Sequence, residues 1–336
     1  MTVREIGEFG LISRLTRDLA GSGDRIVHGV GDDTAVLDVG DGCLLLATCD
    51  VQIEGIHFTQ RGFSPEQIGY RAAAVNLSDI AAMGGTPTFA LVSLAVPSST
   101  KVELLDGIYV GLRKGFEKWG VRIVGGNTAE LPERIAIDVT LLGEVTSENL
   151  LLRSGAESGD MVCVTGDLGA SAAGLKLLQD PSISVSEAIR NEAFSAHRAP
   201  TPRIAEGKYL GNTTGVAACI DVSDGLLGDA AHIAEKSGVS VCIDMEKMPM
   251  SAAARIAEAA GIDTDLLVLR GGEDYELLFT VRPEAVENVL AGLERETGTH
   301  AAIIGEIRDG PVAVTVKRAG QPIDPPGGAF DHFRYK

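Results

Sequence analysis

Apolar runs of strand length alternate with segments of helical period along the chain, and several of those runs are closed or broken by a carboxylate. The alternation selects an α/β (α+β) architecture, with helices laid on sheets. The carboxylates are the tighter constraint, because an acid at the edge of a buried strand must be capped, paired or neutralised. Asp33 follows a glycine turn and precedes the apolar Ala35-Val36-Leu37. Asp50 closes the run CLLLATCD, and Asp79 sits inside VNLSDIAAMGG. Asp221 and Asp224 lie in CIDVSDGL, and Glu273 and Asp274 in GGEDYELLF. One acid of this kind is ordinarily a cap or a turn former. Five such sites in one chain point to a hard cation, since Mg2+ is held by a few acids together with substrate phosphates.

The spacing predicts a helix over 5–20, strands over 34–38 and 43–49, and a helix from Pro65 to about Met83 capped by Ser64. A strand over 89–97, a helix over 101–119 and strands over 121–126 and 135–145 follow. The polar, turn-rich stretch 147–160 marks a boundary between two domains, 1–148 and 149–336, since 336 residues exceed what one core usually fills. Beyond it, strands are predicted over 161–166, 218–226, 239–244, 275–281, 301–307 and 312–317. Helices are predicted after GDLG and over 226–237 and 251–260, with another from Pro283 to Thr297, while 180–202 reads as irregular or weakly helical. The glycine stretches GGN (125–127) and GDLG (166–169) read as turns at strand ends whose N–H groups can cradle an anion.

Composition excludes several classes. The net charge of −18 argues against nucleic-acid and anionic-membrane partners, both of which need basic patches. The longest uncharged stretch, 80–100, contains Gly84, Gly85, Pro87 and Pro97 and does not read as a membrane span. The N-terminal stretch MTVREIGEFGLISRL is charged, and five cysteines without a C-x-x-C fit a reducing compartment, so a cytoplasmic protein is expected. The chain has no G-x-x-x-x-G-K-[ST] loop, no G-x-G-x-x-G after a strand, no H-E-x-x-H and no G-x-S-x-G.

GEFGLI, GDDTAVL, TCDVQIEGIHF, VNLSDIAAMGGTP, GGNT, LRSGAESGD, DVSDGL and GGEDYEL occur in this order, and together they resemble the thiamine-monophosphate kinases. That family belongs to the aminoimidazole ribonucleotide synthetase superfamily, and the resemblance spans residues 5 to about 333. It implies a two-domain fold whose N-terminal sheet pairs with that of a second copy into a barrel. It further implies an ATP-dependent transfer onto thiamine monophosphate, giving thiamine diphosphate and ADP, with several Mg2+ ions. By that resemblance Asp33, Thr48, Cys49, Asp50, Asp79, Asn127, Asp221 and Asp224 stand at metal positions. Tyr109, Gly126, Asn127, Arg153 and Ser223 stand at nucleotide positions, and His57, Glu273 and Phe330 at positions that touch the thiamine substrate. Asp50, Asp79, Asp224 and Arg153 are the expected catalytic set, and Asp32 is assigned to the turn. Two residues depart from the family pattern. Asn127 replaces a common aspartate, and Cys49 stands where a hydroxyl residue is usual, which leaves its backbone carbonyl as the hard ligand.

The chemistry then needs no general base. A phosphate monoester is largely dianionic at neutral pH, its second pKa being about 6. The tasks left are alignment and charge neutralisation, and in so acidic a chain only bridging divalent cations reconcile two anionic substrates. Direct transfer without a phosphoenzyme is expected. A selenophosphate synthetase-like enzyme would want a reactive cysteine near the N-terminus, whereas the first cysteine, Cys43, lies in an apolar strand-like run. A non-catalytic acidic scaffold would spread its acids over exposed faces.

Overall fold

The computed structural model describes residues 2–19, 23–40, 42–259 and 261–324. Phe330 lies outside them. The first half contains α1 (Val3–Thr16), β1 (Ile26–His28), β2 (Ala35–Asp38), β3 (Cys43–Ile53), α2 (Pro65–Ala82), β4 (Thr86–Val96), α3 (Val102–Glu117), β5 (Arg122–Glu130) and β6 (Ala136–Thr146). Its six strands form one sheet in the order β1-β2-β3-β6-β4-β5. All neighbours are antiparallel except β4 and β5, which α3 joins as a crossover. The Ser64 hydroxyl accepts the Gln67 N–H and the Gln67 side chain answers the Ser64 N–H, a reciprocal cap that starts α2 where the sequence places it. α2 and α3 approach so closely that a Cβ at Gly69 would strike the Ile108 carbonyl and one at Gly111 the Glu66 carbonyl.

The second half contains β7 (Met161–Thr165), α4 (Ala170–Gln179), α5 (Glu187–Arg198), α6 (Ile204–Gly211), β8 (Val216–Asp221), α7 (Leu226–Ser237), β9 (Ser240–Asp244), α8 (Ala252–Ala259), α9 (Thr264–Arg270), β10 (Leu277–Val281), α10 (Val286–Thr297), β11 (Ala301–Arg308), β12 (Ala313–Arg318) and β13 (Gln321–Ile323). Its sheet runs β13-β12-β9-β11-β7-β10-β8. Alternation along the strands builds two cores. Val162, Val164, Ala218, Ile220 and Leu278 pack with Leu226, Ala230 and Ile233 of α7. Cys163, Cys219, Leu277 and Phe279 join Leu77 and Ile80 of α2 in a core shared with the first sheet. α2 therefore lies between the two sheets and carries side chains to both. The other face of the first sheet leaves Val51, Phe89, Leu91 and Val124 exposed.

The structure corrects several expectations. β3 does not end at Asp50 but runs on to Ile53, so Asp50 is a mid-strand residue. GGN is not a turn. It lies inside β5 in parallel pairing with β4, where Gly126 has φ +155 and a Cβ would strike the Val92 carbonyl. Residues 187–198 are a regular helix capped by the Ser186 hydroxyl on the Ile189 N–H, and α6 and α9 are additional. The helix after Pro283 starts at Val286. The stretch 147–160 is polar in composition yet buries Leu151, whose N–H donates to the Met83 carbonyl, and thereby threads Arg153 between the sheets. Cys163, Cys219 and Cys242 are buried, whereas Cys49 is exposed and Cys43 only partly covered. Among the described residues no helix is long and apolar enough to cross a membrane.

Candidate active site

β3 turns alternate residues toward α2, and the contacts follow that period. The Thr48 hydroxyl donates to Asp79 Oδ2, the Asn76 side chain accepts the Asp50 N–H at 3.2 Å, and Gln52 meets Arg71. Asp221, at the end of β8, accepts the Ser78 hydroxyl at 2.6 Å, which ties the second sheet to the same helix. The β1–β2 turn supplies Asp33. Asp32 accepts the N–H groups of Asp33 at 3.1 Å and of Arg153 at 3.3 Å, so it orders the turn as the sequence suggested. The outcome is that oxygens of Asp33, Asp79 and Asp221 lie within 4.8 Å of one another.

Three carboxylates so close raise one another's pKa. Burial pushes Asp79 well up, and Asp50, Asp221 and Asp33 push it further. Burial and Asp33 lift Asp221 to about 8, against the Ser78 hydrogen bond. Burial raises Asp33 too, although Arg153 Nη2 donates to its Oδ1 at 2.5 Å. Burial works against the Arg153 charge, but Asp33, Asp32 and Asp221 outweigh it and hold the guanidinium protonated. Asp33 Oδ2 is buried without a hydrogen-bond partner. An orphaned carboxylate oxygen, in a cluster whose three candidate ligand atoms are all carboxylate oxygens, fits a hard divalent cation.

The remaining predicted residues fall into three groups. Asp50 acts electrostatically on Asp79 and Asp221. Asp224 follows β8 and acts on Asp229, an acid in the first turn of α7 that sequence reasoning missed. Asp229 is 1 % exposed, its Oδ2 has no hydrogen-bond partner, and burial, Asp224 and Asp221 push its pKa well up. An acid among the small and apolar residues that open α7 was the available signal. Cys49 points to the opposite sheet face, where its thiol meets Asp138 Oδ1 at 3.1 Å, so its side chain does not join the cluster. Asn127 shares a sheet row with Ser93, Asp138 and Val51, which puts it three strand spacings, about 14 Å, from β3. Gly126 is its neighbour on β5, and Tyr109 is half-buried on α3 against the first core.

The third group surrounds Glu273. GGEDYEL lies along DVSDGL: the Ser223 carbonyl accepts the Glu273 N–H at 2.7 Å, and the Val222 carbonyl accepts the Tyr275 N–H at 2.9 Å. Glu273 and Tyr275 have φ of +68 and +53, a conformation seldom adopted by side-chain-bearing residues and concentrated at functional sites. Glu273 Oε1 pairs with Arg71 and Oε2 lies 3.3 Å from His197 Nδ1. Burial would raise its pKa, but Arg71, His197 and His57 together bring it down to about 2. His57 Nδ1 accepts the Ile53 N–H at 3.0 Å. Asp274 turns away to accept the Gly169 and Ser171 N–H groups, capping α4.

Two mixed sheets that share one buried helix, with carboxylates converging on that helix, define the two-domain class of the AIR synthase related proteins. The N-terminal domain family of that name matches residues 31–145 and the C-terminal domain family residues 157–317. A thiamine-monophosphate kinase of Aquifex aeolicus is 40% identical over 83% of this chain and 87% of its own, and one from Buchnera aphidicola is 32% identical over 98% and 99%. A solved structure described as AaThiL complexed with AMPPCP and TMP superposes with a TM-score of 0.83 at 35% identity, covering 99% of both chains. The chain belongs to the thiamine-monophosphate kinase family.

Proposed function

We propose that the chain transfers the γ-phosphoryl group of ATP to thiamine monophosphate, giving thiamine diphosphate and ADP in the final step of thiamine diphosphate biosynthesis. The observation that carries the reading is the convergence of Asp33, Asp79 and Asp221 beside Arg153, at the helix shared by both sheets. The named relatives and the neighbour that holds an ATP analogue with TMP support it.

Mg2+ ions supply the positive charge that lets two phosphate groups approach. Asp33, Asp79 and Asp221 would hold them, with Asp50, Asp224, Thr48 and the Cys49 carbonyl. Asn127, about 14 Å from β3, would serve a separate ion. Arg153 is kept charged by the same acids and directs its guanidinium at the nucleotide phosphates, and Tyr109, Gly126, Asn127 and Ser223 are the other residues proposed to bind the nucleotide. His57 and Glu273 face the cationic thiamine end. With its pKa down at about 2, Glu273 is a permanent carboxylate for a permanent cation. Phe330 completes this end in the proposal. Transfer is direct, and a radiolabelled phosphoenzyme trapped during turnover would refute it.

The test is incubation with ATP, Mg2+ and thiamine monophosphate, with thiamine diphosphate read as its fluorescent thiochrome. No product over a range of Mg2+ concentrations would remove the proposal. Arg153→Ala should raise the KM for ATP about tenfold or more, the usual scale for losing a hydrogen bond to a charged group, and leave the KM for thiamine monophosphate nearly unchanged. Equal changes in the two would contradict its nucleotide role.

The exposed Val51, Phe89, Leu91 and Val124 on one face of the first sheet support the finer proposal of a homodimer whose two N-terminal sheets close into a barrel. A single-chain mass at sedimentation equilibrium would overturn it. Five unbridged cysteines support a cytoplasmic setting.

A further inference from the structure

Arg71 is 1 % exposed and stands in the middle of α2, on a helix whose neighbours from Ile68 to Ser78 are mostly buried and apolar. A charge there is costly unless every donor is used. Its Nε donates to Gln52 Oε1 at 3.3 Å, its Nη1 to the His197 carbonyl and its Nη2 to Glu273 Oε1. The first partner belongs to β3, the second to α5 and the third to the loop before β10, so one guanidinium joins the first sheet to two segments of the second half. His197 closes the arrangement. Its carbonyl accepts from Arg71, and its Nδ1 lies 3.3 Å from Glu273 Oε2 and 3.2 Å from Ser171 Oγ. Both carboxylate oxygens of Glu273 are thereby fixed, on a backbone held at φ +68, while 28 % of the side chain stays open to solvent.

A surface carboxylate awaiting a cationic ligand swings freely and binds weakly. We infer that Arg71 is a positioning residue, which fixes the open edge of Glu273 toward the cationic end of the phosphate acceptor without touching that substrate itself. The inference rests on the reading of Glu273 as a substrate contact. It gives a role to a fully buried arginine in a helix that packs against both sheets. It also predicts an asymmetry, because the phosphate-directed cluster around Asp79 and Asp221 makes its hydrogen bonds to Thr48 and Ser78, none of which involve Arg71.

The test is a mutant cycle of Arg71→Met and Glu273→Gln in the full chain, with KM measured separately for each substrate. Arg71→Met should raise the KM for thiamine monophosphate about tenfold or more, within the roughly hundredfold that a small misplacement costs, and leave the KM for ATP within about twofold. In the Glu273→Gln background the same change should add almost nothing, because the residue acts through that carboxylate. Arg71→Lys keeps the charge but cannot serve Gln52, His197 and Glu273 at once, and it should raise the same KM several-fold. It carries the test if the methionine variant does not fold. Equal rises in both KM values, or additive effects in the cycle, would show a merely structural arginine and overturn the inference. An unchanged KM in Glu273→Gln alone would instead remove the substrate contact, and the inference would fall with it.

Discussion

Asp79→Asn is expected to abolish turnover, by about a thousandfold or more, while the protein folds and melts a few degrees higher than the parent in magnesium-free buffer. The two effects have one origin. Asp79 sits with Asp33 and Asp221 inside 4.8 Å, and burial together with Asp50, Asp221 and Asp33 drives its pKa well above the ordinary value. Folding without a cation must therefore protonate a group that the unfolded chain leaves ionised at neutral pH, and that costs stability. Asparagine removes the cost and keeps an oxygen to accept the Thr48 hydroxyl. It also removes one of the negative charges that would hold the proposed cation. The readouts are kcat at saturating ATP and thiamine monophosphate, and the melting temperature with chelator present. Normal turnover would take Asp79 out of the chemistry. A lower melting temperature would mean that its carboxylate is an ordinary stabilising cap.

The acids were legible in the sequence because they break apolar runs, and Asp33, Asp79 and Asp221 stood out for that reason. Their meeting point was not, since it depends on how β8 docks on α2 through Ser78, a contact between residues far apart in the chain. Residues that obey the local pattern hid best. Arg71 reads as one polar residue in a helix, and only the burial of that helix on two sides shows that it has no solvent face. Asp229 is concealed in the same way in the first turn of α7. Glycine misled at 125–127, where it permits Gly126 to pass close to Val92 within a strand and does not make a turn. The helix over 187–198 was diluted by Arg, Asn, Ser and His, although Ser186 and the buried series Ile189, Ala193 and His197 carry its cap and its period.

The second large effect concerns pH and magnesium together. In chelator, the stability of the protein should fall steadily as pH rises from about 4 to about 8. Asp221 has a folded pKa of about 8 against an ordinary 3.8, so between those values the native state holds a proton that the unfolded chain has released. Stability therefore declines with rising pH over that window, and Asp32, lifted to about 6, steepens its lower part. Glu273 has the opposite sign: its contribution is complete above 4.5 and is lost only as pH falls toward about 2, below the window. Adding Mg2+ at neutral pH should flatten most of the decline, because a bound cation favours the ionised form of each acid it meets. Outside the cluster Asp274, which caps α4 and is lifted to about 7, adds to the decline, while His232, lowered by burial to about 4, opposes it between about 4 and 6.5, so the slope left in Mg2+ should be small. Mg2+ binding should accordingly release protons, measurable by titration calorimetry in buffers of different ionisation enthalpy, and Asp79→Asn should release fewer. A chelated protein whose stability rises from pH 5 to pH 8, or Mg2+ binding with no proton release, would show that these carboxylates are ionised and separately solvated before any cation arrives.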